Sequence, residues 1–300
     1  MTARVRSRKF ILTDLFYIFG MCFPFLVGIV LKILTEPPAE GISITGARIY
    51  FTVPFPVQDL YMTEAQINSW LVILSIFFFC RYVTHGLTVE CSTRRQHLAE
   101  WIIETVDRLV SENMGPYFGG YSAFIISILA LSALSSLLSL LGLFPPTSDI
   151  NIVGGWAILI FILITHYKLK GGVLNYLKGF TEPIFIMAPL NVLGEVATPV
   201  SMAFRHYGNV LSGSVISVLI AAALTALSNL VLGWIPGFLG ELPLLRIGLP
   251  AVLSVYFDIF SGCMQAYIFA MLTMLNVSSA FPWEAYEKRK RKKEKKKQTI

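Results

Sequence analysis

Charge is what this 300-residue chain has least of: 14% of its residues are Asp, Glu, Lys or Arg, against about 25% in a soluble globular domain. With 55% hydrophobic residues and a mean hydropathy of +0.67, that shortage excludes a soluble fold and points to an integral membrane protein. Cysteine is also scarce. Cys22, Cys80, Cys91 and Cys263 are scattered without metal or redox spacing, and three sit in or beside apolar runs, so no disulfide framework is implied. The four histidines, His85, His97, His166 and His206, are equally dispersed and make no zinc-like pair. No phosphate-binding loop, nucleophile–base pair or substrate-sized polar cluster occurs. The expectation is therefore a chain with no cofactor, no metal and no nucleotide or catalytic hydrolysis site of its own.

A basic excess is present but local. The net charge is +6 and the pI about 9.1, yet residues 288–297 hold nine basic side chains and one acidic. That tail carries +8 and leaves the rest of the chain near −2. Lys and Arg clustered after a span mark the cytoplasmic side and touch anionic lipid, so no nucleic-acid partner is expected.

Long apolar runs are abundant. The first covers about Leu15 to Leu34, behind Arg4, Arg6, Arg8 and Lys9. It is longer than a signal-peptide core and ends without a small-x-small site, so a retained span is expected. A mixed segment from Pro37 to Asn68 reads as an outside loop. Further spans run from Trp70 to Val83, Tyr121 to Phe144 and Ile152 to Tyr167. Between Leu98 and Met114, Leu98, Ile102, Val106, Leu109 and Val110 recur at helical spacing opposite Glu100, Glu104, Asp107 and Arg108, the pattern of a helix lying on the cytoplasmic interface. Two last segments, Pro183 to Pro236 and Pro250 to Ala280, make six spans in an all-α polytopic fold, with Trp234 to Gly248 as the outside connection between them. The positive-inside rule then puts both termini in the cytoplasm. The fifth segment, 54 residues with almost no charge, is too long to stand upright in a hydrocarbon core of about 30 Å. It must tilt strongly, break near Pro189, Pro199 or Gly213, or do both. The sixth also needs tilt.

Polar residues within these last segments are ordered. Asn191, Glu195, Thr198, Ser201, Arg205, Asn209 and Ser212 follow one another at steps of three and four, one face of a helix held for about six turns. Ser254, Asp258, Ser261 and Gln265 repeat the device. Helix–helix glue explains Thr198 or Ser201. It explains Arg205 and Glu195 poorly, because a charge at membrane depth costs about 2.5 kcal/mol or more and marks ion paths. Two such faces packed together can hold water and relay protons.

Several motifs then carry a resemblance. Pro189-Leu-Asn-Val-Leu-Gly-Glu195, Pro199-Val-Ser-x-x-x-Arg205-x-x-Gly-Asn209 and Gly262-x-x-Gln265-Ala266 with Phe269 and Leu272-Thr273 are three of them. Pro145-Pro-Thr-Ser-Asp149-Ile-Asn151 and Lys170-Gly171 through Tyr176-Leu-Lys-Gly-Phe-x-Glu-Pro183 complete the set. In this order, from about Met62 to Ala280, the chain resembles subunit a of the rotary F-type ATP synthase. Residues 1–61 form an extra N-terminal span and loop, 62–280 the core that carries the resemblance, and 281–300 the basic tail. The resemblance implies a stator in a bacterial plasma membrane, beside a rotating c-ring, with peripheral-stalk b subunits as further partners. Protons, or sodium, would cross by two half-channels. Arg205 would face the ring carboxylate and divide them, and Gln265 would orient its guanidinium by hydrogen bonding. Asn209, Ser214 and Asp258 would line the outer half-channel with Asp149 and Asn151 at its mouth, and Asn191, Glu195 and Ser201 would suit the exit. His206 and Tyr207 depart from the family's usual Leu-Phe, and His206, one residue off the stripe, reads as a packed or lipid-facing side chain. An independent secondary transporter is the alternative, although no internal repeat marks one; a purely structural anchor leaves Arg205, Glu195 and Asp258 without a purpose.

Overall fold

A computed structural model of the chain describes residues 8–35, 46–56, 58–89, 93–181, 185–232, 248, 252–253, 255–283 and 286–287. Arg4 and Arg6, the start of the outside loop, Cys91, the Glu182-Pro183 end of one motif, the connection from Trp234, Ser254 and the basic tail lie outside the described residues. Among the described residues six helices are long and apolar enough to cross a membrane: Phe10–Thr35, Glu64–Thr84, Ser122–Leu141, Ile150–Leu169, Phe185–Val231 and Tyr256–Ser279. The all-α polytopic reading and the number of spans hold.

Helix α1 (Arg8–Thr35) packs along α2 (Glu64–Thr84). Gly20 makes this possible, since a Cβ there would come within 2.6 Å of the Phe78 ring. At one end of the pair the Asp14 carboxylate accepts from Arg95 Nη1 and lies against His85 Nδ1, both at 2.9 Å. Arg95 also donates to the His85 carbonyl. A carboxylate inside an apolar helix is thus neutralised by an arginine at the start of α3 (Arg94–Met114). Thr93 caps α3 by accepting from the Gln96 N–H, as Thr63 caps α2. The apolar face expected to lie on the membrane interface is turned partly onto the bundle, because Val106, Val110 and Met114 are buried in the main core while Leu98 and Trp101 stay exposed.

Part of the segment expected as an outside loop forms regular structure. Strands β1 (Ile49–Val53) and β2 (Leu60–Thr63), rich in the β-branched and aromatic residues that favour strands, pair as an antiparallel hairpin leading directly into α2. Helix α4 (Ser122–Leu137) tightens into a 3₁₀ turn at Leu138–Leu141. Helices α5 (Ile150–Leu169) and α6 (Val173–Thr181) follow. The core joins α3, α4 and α5 to the last helix through Phe118, Ile125, Ile160, Phe269, Met274 and their neighbours.

Helix α7 runs unbroken from Ala188 to Leu232, 45 residues with Pro199 inside. At 1.5 Å per residue it spans about 67 Å, twice a hydrocarbon core, so its length is accommodated by tilt and not by a break. It is also the least covered span: 6% of its most apolar stretch is buried against the chain, compared with 39% for the last. That last span begins as a π-helical turn, Tyr256–Ser261, and continues as α8 (Gly262–Ser279).

Candidate functional site

Residues of the α7 stripe meet three different surroundings. Arg205 is exposed on the uncovered side and makes no ion pair or hydrogen bond among the described residues. Ser201 and Ser214 are likewise exposed, Ser214 donating to the Leu211 carbonyl of its own helix. Asn209, one turn on from Arg205, donates to Ser261 Oγ at 2.8 Å, which ties α7 to the π turn and brings the two polar faces together.

At the lower-numbered end of the stripe, Glu195 accepts from the Tyr176 hydroxyl at 2.9 Å and pairs with Lys168 Nζ at 3.1 Å. Asn191 donates to the Phe180 carbonyl at 2.8 Å. Asn191, Glu195 and Thr198 line a cavity of about 900 Å³ together with Lys168, Tyr176, Asn276 and Ser279. Burial, then the Glu195 carboxylate, push the Tyr176 hydroxyl up to about 12, so it stays a donor throughout the physiological range. Neither Lys168 nor Tyr176 belonged to the expected path. The sequence signal was there in part, since both lie in the basic flank where α5 passes into α6.

A second cavity, of about 680 Å³, is lined by Asp149, Asn151 and Tyr207, and by Asp59, Tyr61 and Gln58 of the hairpin. Asp149 has a structural duty as well. It is the N-cap of α5, accepting from the Asn151 N–H at 2.9 Å. Asp258 sits half-buried on the π turn with Ser139 beside its carboxyl. The wider turn displaces Asp258 from the face it would share with Gln265 in an α-helix. Gln265 is 4% exposed and Arg205 donates no hydrogen bond to it, so the expected guanidinium contact is not formed here. Close packing explains the inward position of this helix: a Cβ on Gly262 would lie 2.8 Å from that of Ser136.

His206 lies about 100° round the helix from Arg205, as adjacent helical residues do, and faces into the bundle. It is fully buried, with Nε2 3.3 Å from Ser132 Oγ and the rings of Trp156 and Phe269 edge-on to it. Sequence reasoning missed the serines it meets. Ser132, Ser135, Ser136 and Ser139 of α4 and its 3₁₀ extension recur at helical spacing on one face, a readable pattern concealed inside an otherwise apolar span.

An all-helical, six-span protein with a charged stripe and a polar cavity toward each end of it belongs to the class of membrane proteins that carry an ion path. Comparison makes this specific. The family described as ATP synthase A chain matches residues 66–278. ATP synthase subunit a of Staphylococcus saprophyticus is 32% identical over 234 residues, covering 73% of this chain and 91% of that protein. The sodium ion specific ATP synthase subunit a of Propionigenium modestum is 27% identical over 269 residues, covering 79% and 86%. The chain belongs to the family of F-type ATP synthase subunit a. It is a multi-pass stator subunit in the ion channel of that synthase, acting in complex with other synthase subunits.

Proposed function

We propose that Arg205 divides two aqueous half-paths that meet a rotating c-ring on the uncovered face of α7. The carrying observation is position: the guanidinium is exposed and unpaired among the described residues, on a helix that lines one cavity at Glu195 and Thr198 and another at Tyr207. Asp149, Asp258, Asn209 and Ser214 serve the outer path and Asn191, Glu195 and Ser201 the cytoplasmic one, while Gln265, which does not touch the guanidinium here, packs inside the bundle. An ionised ring carboxylate 4 Å from the guanidinium would be attracted by about 4 kcal/mol at an effective dielectric of 20. That favours release of its proton on one side and reloading on the other. Arginine suits the divider because it does not surrender its own proton in a dry site, where lysine does.

The partners in this reading are the c-ring, peripheral-stalk b subunits and the lipid of a bacterial plasma membrane, with both termini cytoplasmic and α1 retained. The translocated ion is the proton; the sodium-specific relative makes sodium the second reading. The test is ion-driven ATP synthesis by the reconstituted complex. Arg205→Ala is expected to abolish coupled synthesis, and intact coupling would overturn the divider role. Synthesis that requires added sodium at constant proton gradient would select the second reading.

A further inference from the structure

Hydroxyls in this bundle often satisfy themselves on their own helix. Exposed Ser127 donates to the Ala123 carbonyl and buried Thr273 to that of Phe269, at 2.7 and 2.8 Å. Three serines of α4 behave differently. Ser132 turns to His206, Ser136 turns to Thr147 Oγ1 at 3.3 Å, and Ser135 Oγ is buried with no partner among the described residues. His206 Nδ1 is buried and unpartnered among them as well. An imidazole has two polar nitrogens, and whichever tautomer Ser132 selects, the second nitrogen still requires a donor or an acceptor. Buried polar atoms left over in this way are commonly served by ordered water, which needs two to four polar partners.

The surroundings supply a source. Thr147 adjoins Ser148 and Asp149, which line the outer cavity, and Tyr207, next to His206, lines the same cavity. The serine face, spaced one helical turn at a time, therefore runs from Thr147 beside that cavity to His206 on the inward flank of α7, the neighbour of Arg205 in the chain. We propose that His206, Ser132 and Ser135 form a water-binding site, a hydrated seam that carries the outer path behind α7 to the position next to Arg205. The inference rests on the two-path reading and gives His206 a positioning role: it holds water through hydrogen bonds and does not meet the ring. A tightly packed, dry histidine between Trp156 and Phe269 is the competing account.

The test is silver-ion reactivity in the assembled complex after Cys22, Cys80, Cys91 and Cys263 are replaced by serine. Ser132→Cys and Ser135→Cys are each compared with Ile125→Cys, an equally buried apolar position on the same helix. Cysteines at 132 and 135 are expected to react about tenfold faster than at 125, because silver reaches thiols through water. His206→Leu is expected to bring the rate at 135 down to that at 125, while His206→Gln, which keeps hydrogen-bonding capacity, preserves it. Reactivity at 132 and 135 no greater than at 125, or a rate at 135 indifferent to His206→Leu, would overturn the proposal. Labelling is read without turnover. A failed Arg205→Ala test would therefore remove the two-path reading and leave the seam's hydration as a separate result.

Discussion

Arg205 and His206 are consecutive, and their fates differ because about 100° of helical rotation separates neighbouring side chains. One side chain faces outward over a surface the chain leaves uncovered; the other closes a pocket among four helices. For Arg205 the permanence of the charge is the important property. Arg205→Lys keeps a cation but is expected to cut coupled synthesis by at least about tenfold, since a compact ammonium in a dry setting sheds its proton and loses the planar fork; proton pumping in vesicles would measure it. Around Glu195 the prediction concerns pH. Because Tyr176 is held neutral to about 12, the hydrogen bond it donates does not change between pH 5 and 9, a span read from that value. Tyr176→Phe should therefore alter the pumping rate by one constant factor across that window. A factor that varies with pH would mean the hydroxyl titrates there or another group has taken its place.

Elements meet through small residues and through charge pairs. Asp14 on α1 is held by Arg95 of α3 at 2.9 Å, with both side chains about nine-tenths buried. Removing the acid leaves the arginine buried without its counter-charge, which typically costs about 3 kcal/mol. Asp14→Ala is expected to lower the thermal stability of the subunit, and Arg95→Met in the same chain should recover part of the loss. The contact between α4 and α8 depends on absence of a side chain at Gly262. Gly262→Val would force its branches into Ser136 and is expected to cost about 1–3 kcal/mol in overpacking, read as a lower melting temperature of the complex. The π turn before Gly262 has a consequence of its own. It lets Asn209 reach Ser261 while Asp258 turns toward Ser139, two contacts that an uninterrupted α-helix would not combine.

At the scale of the molecule, α7 is a long unbroken helix that leaves Arg205 exposed, an arrangement that suits a partner on that side. Arg205 facing lipid would be costly, so the subunit should be more stable to heat in the assembled complex than alone in a bilayer, and Arg205→Leu should narrow that difference. Sequence alone determined the spans, the single helical face of the α7 stripe and the identity of Arg205 as its fixed charge, because hydropathy and a 3.6-residue period are local properties. The extra span was visible too, but not that Asp14 near its start meets Arg95, 81 residues away. Only the tertiary structure decided that α7 runs without breaking, that Glu195 is held by Lys168 and Tyr176, that hairpin residues share a cavity with Asp149, and that Gln265 is buried without touching Arg205. Each of these depends on which helices approach closely enough to touch. Side chains at a fixed spacing share a face, but what that face meets is set by the packing of other segments against it.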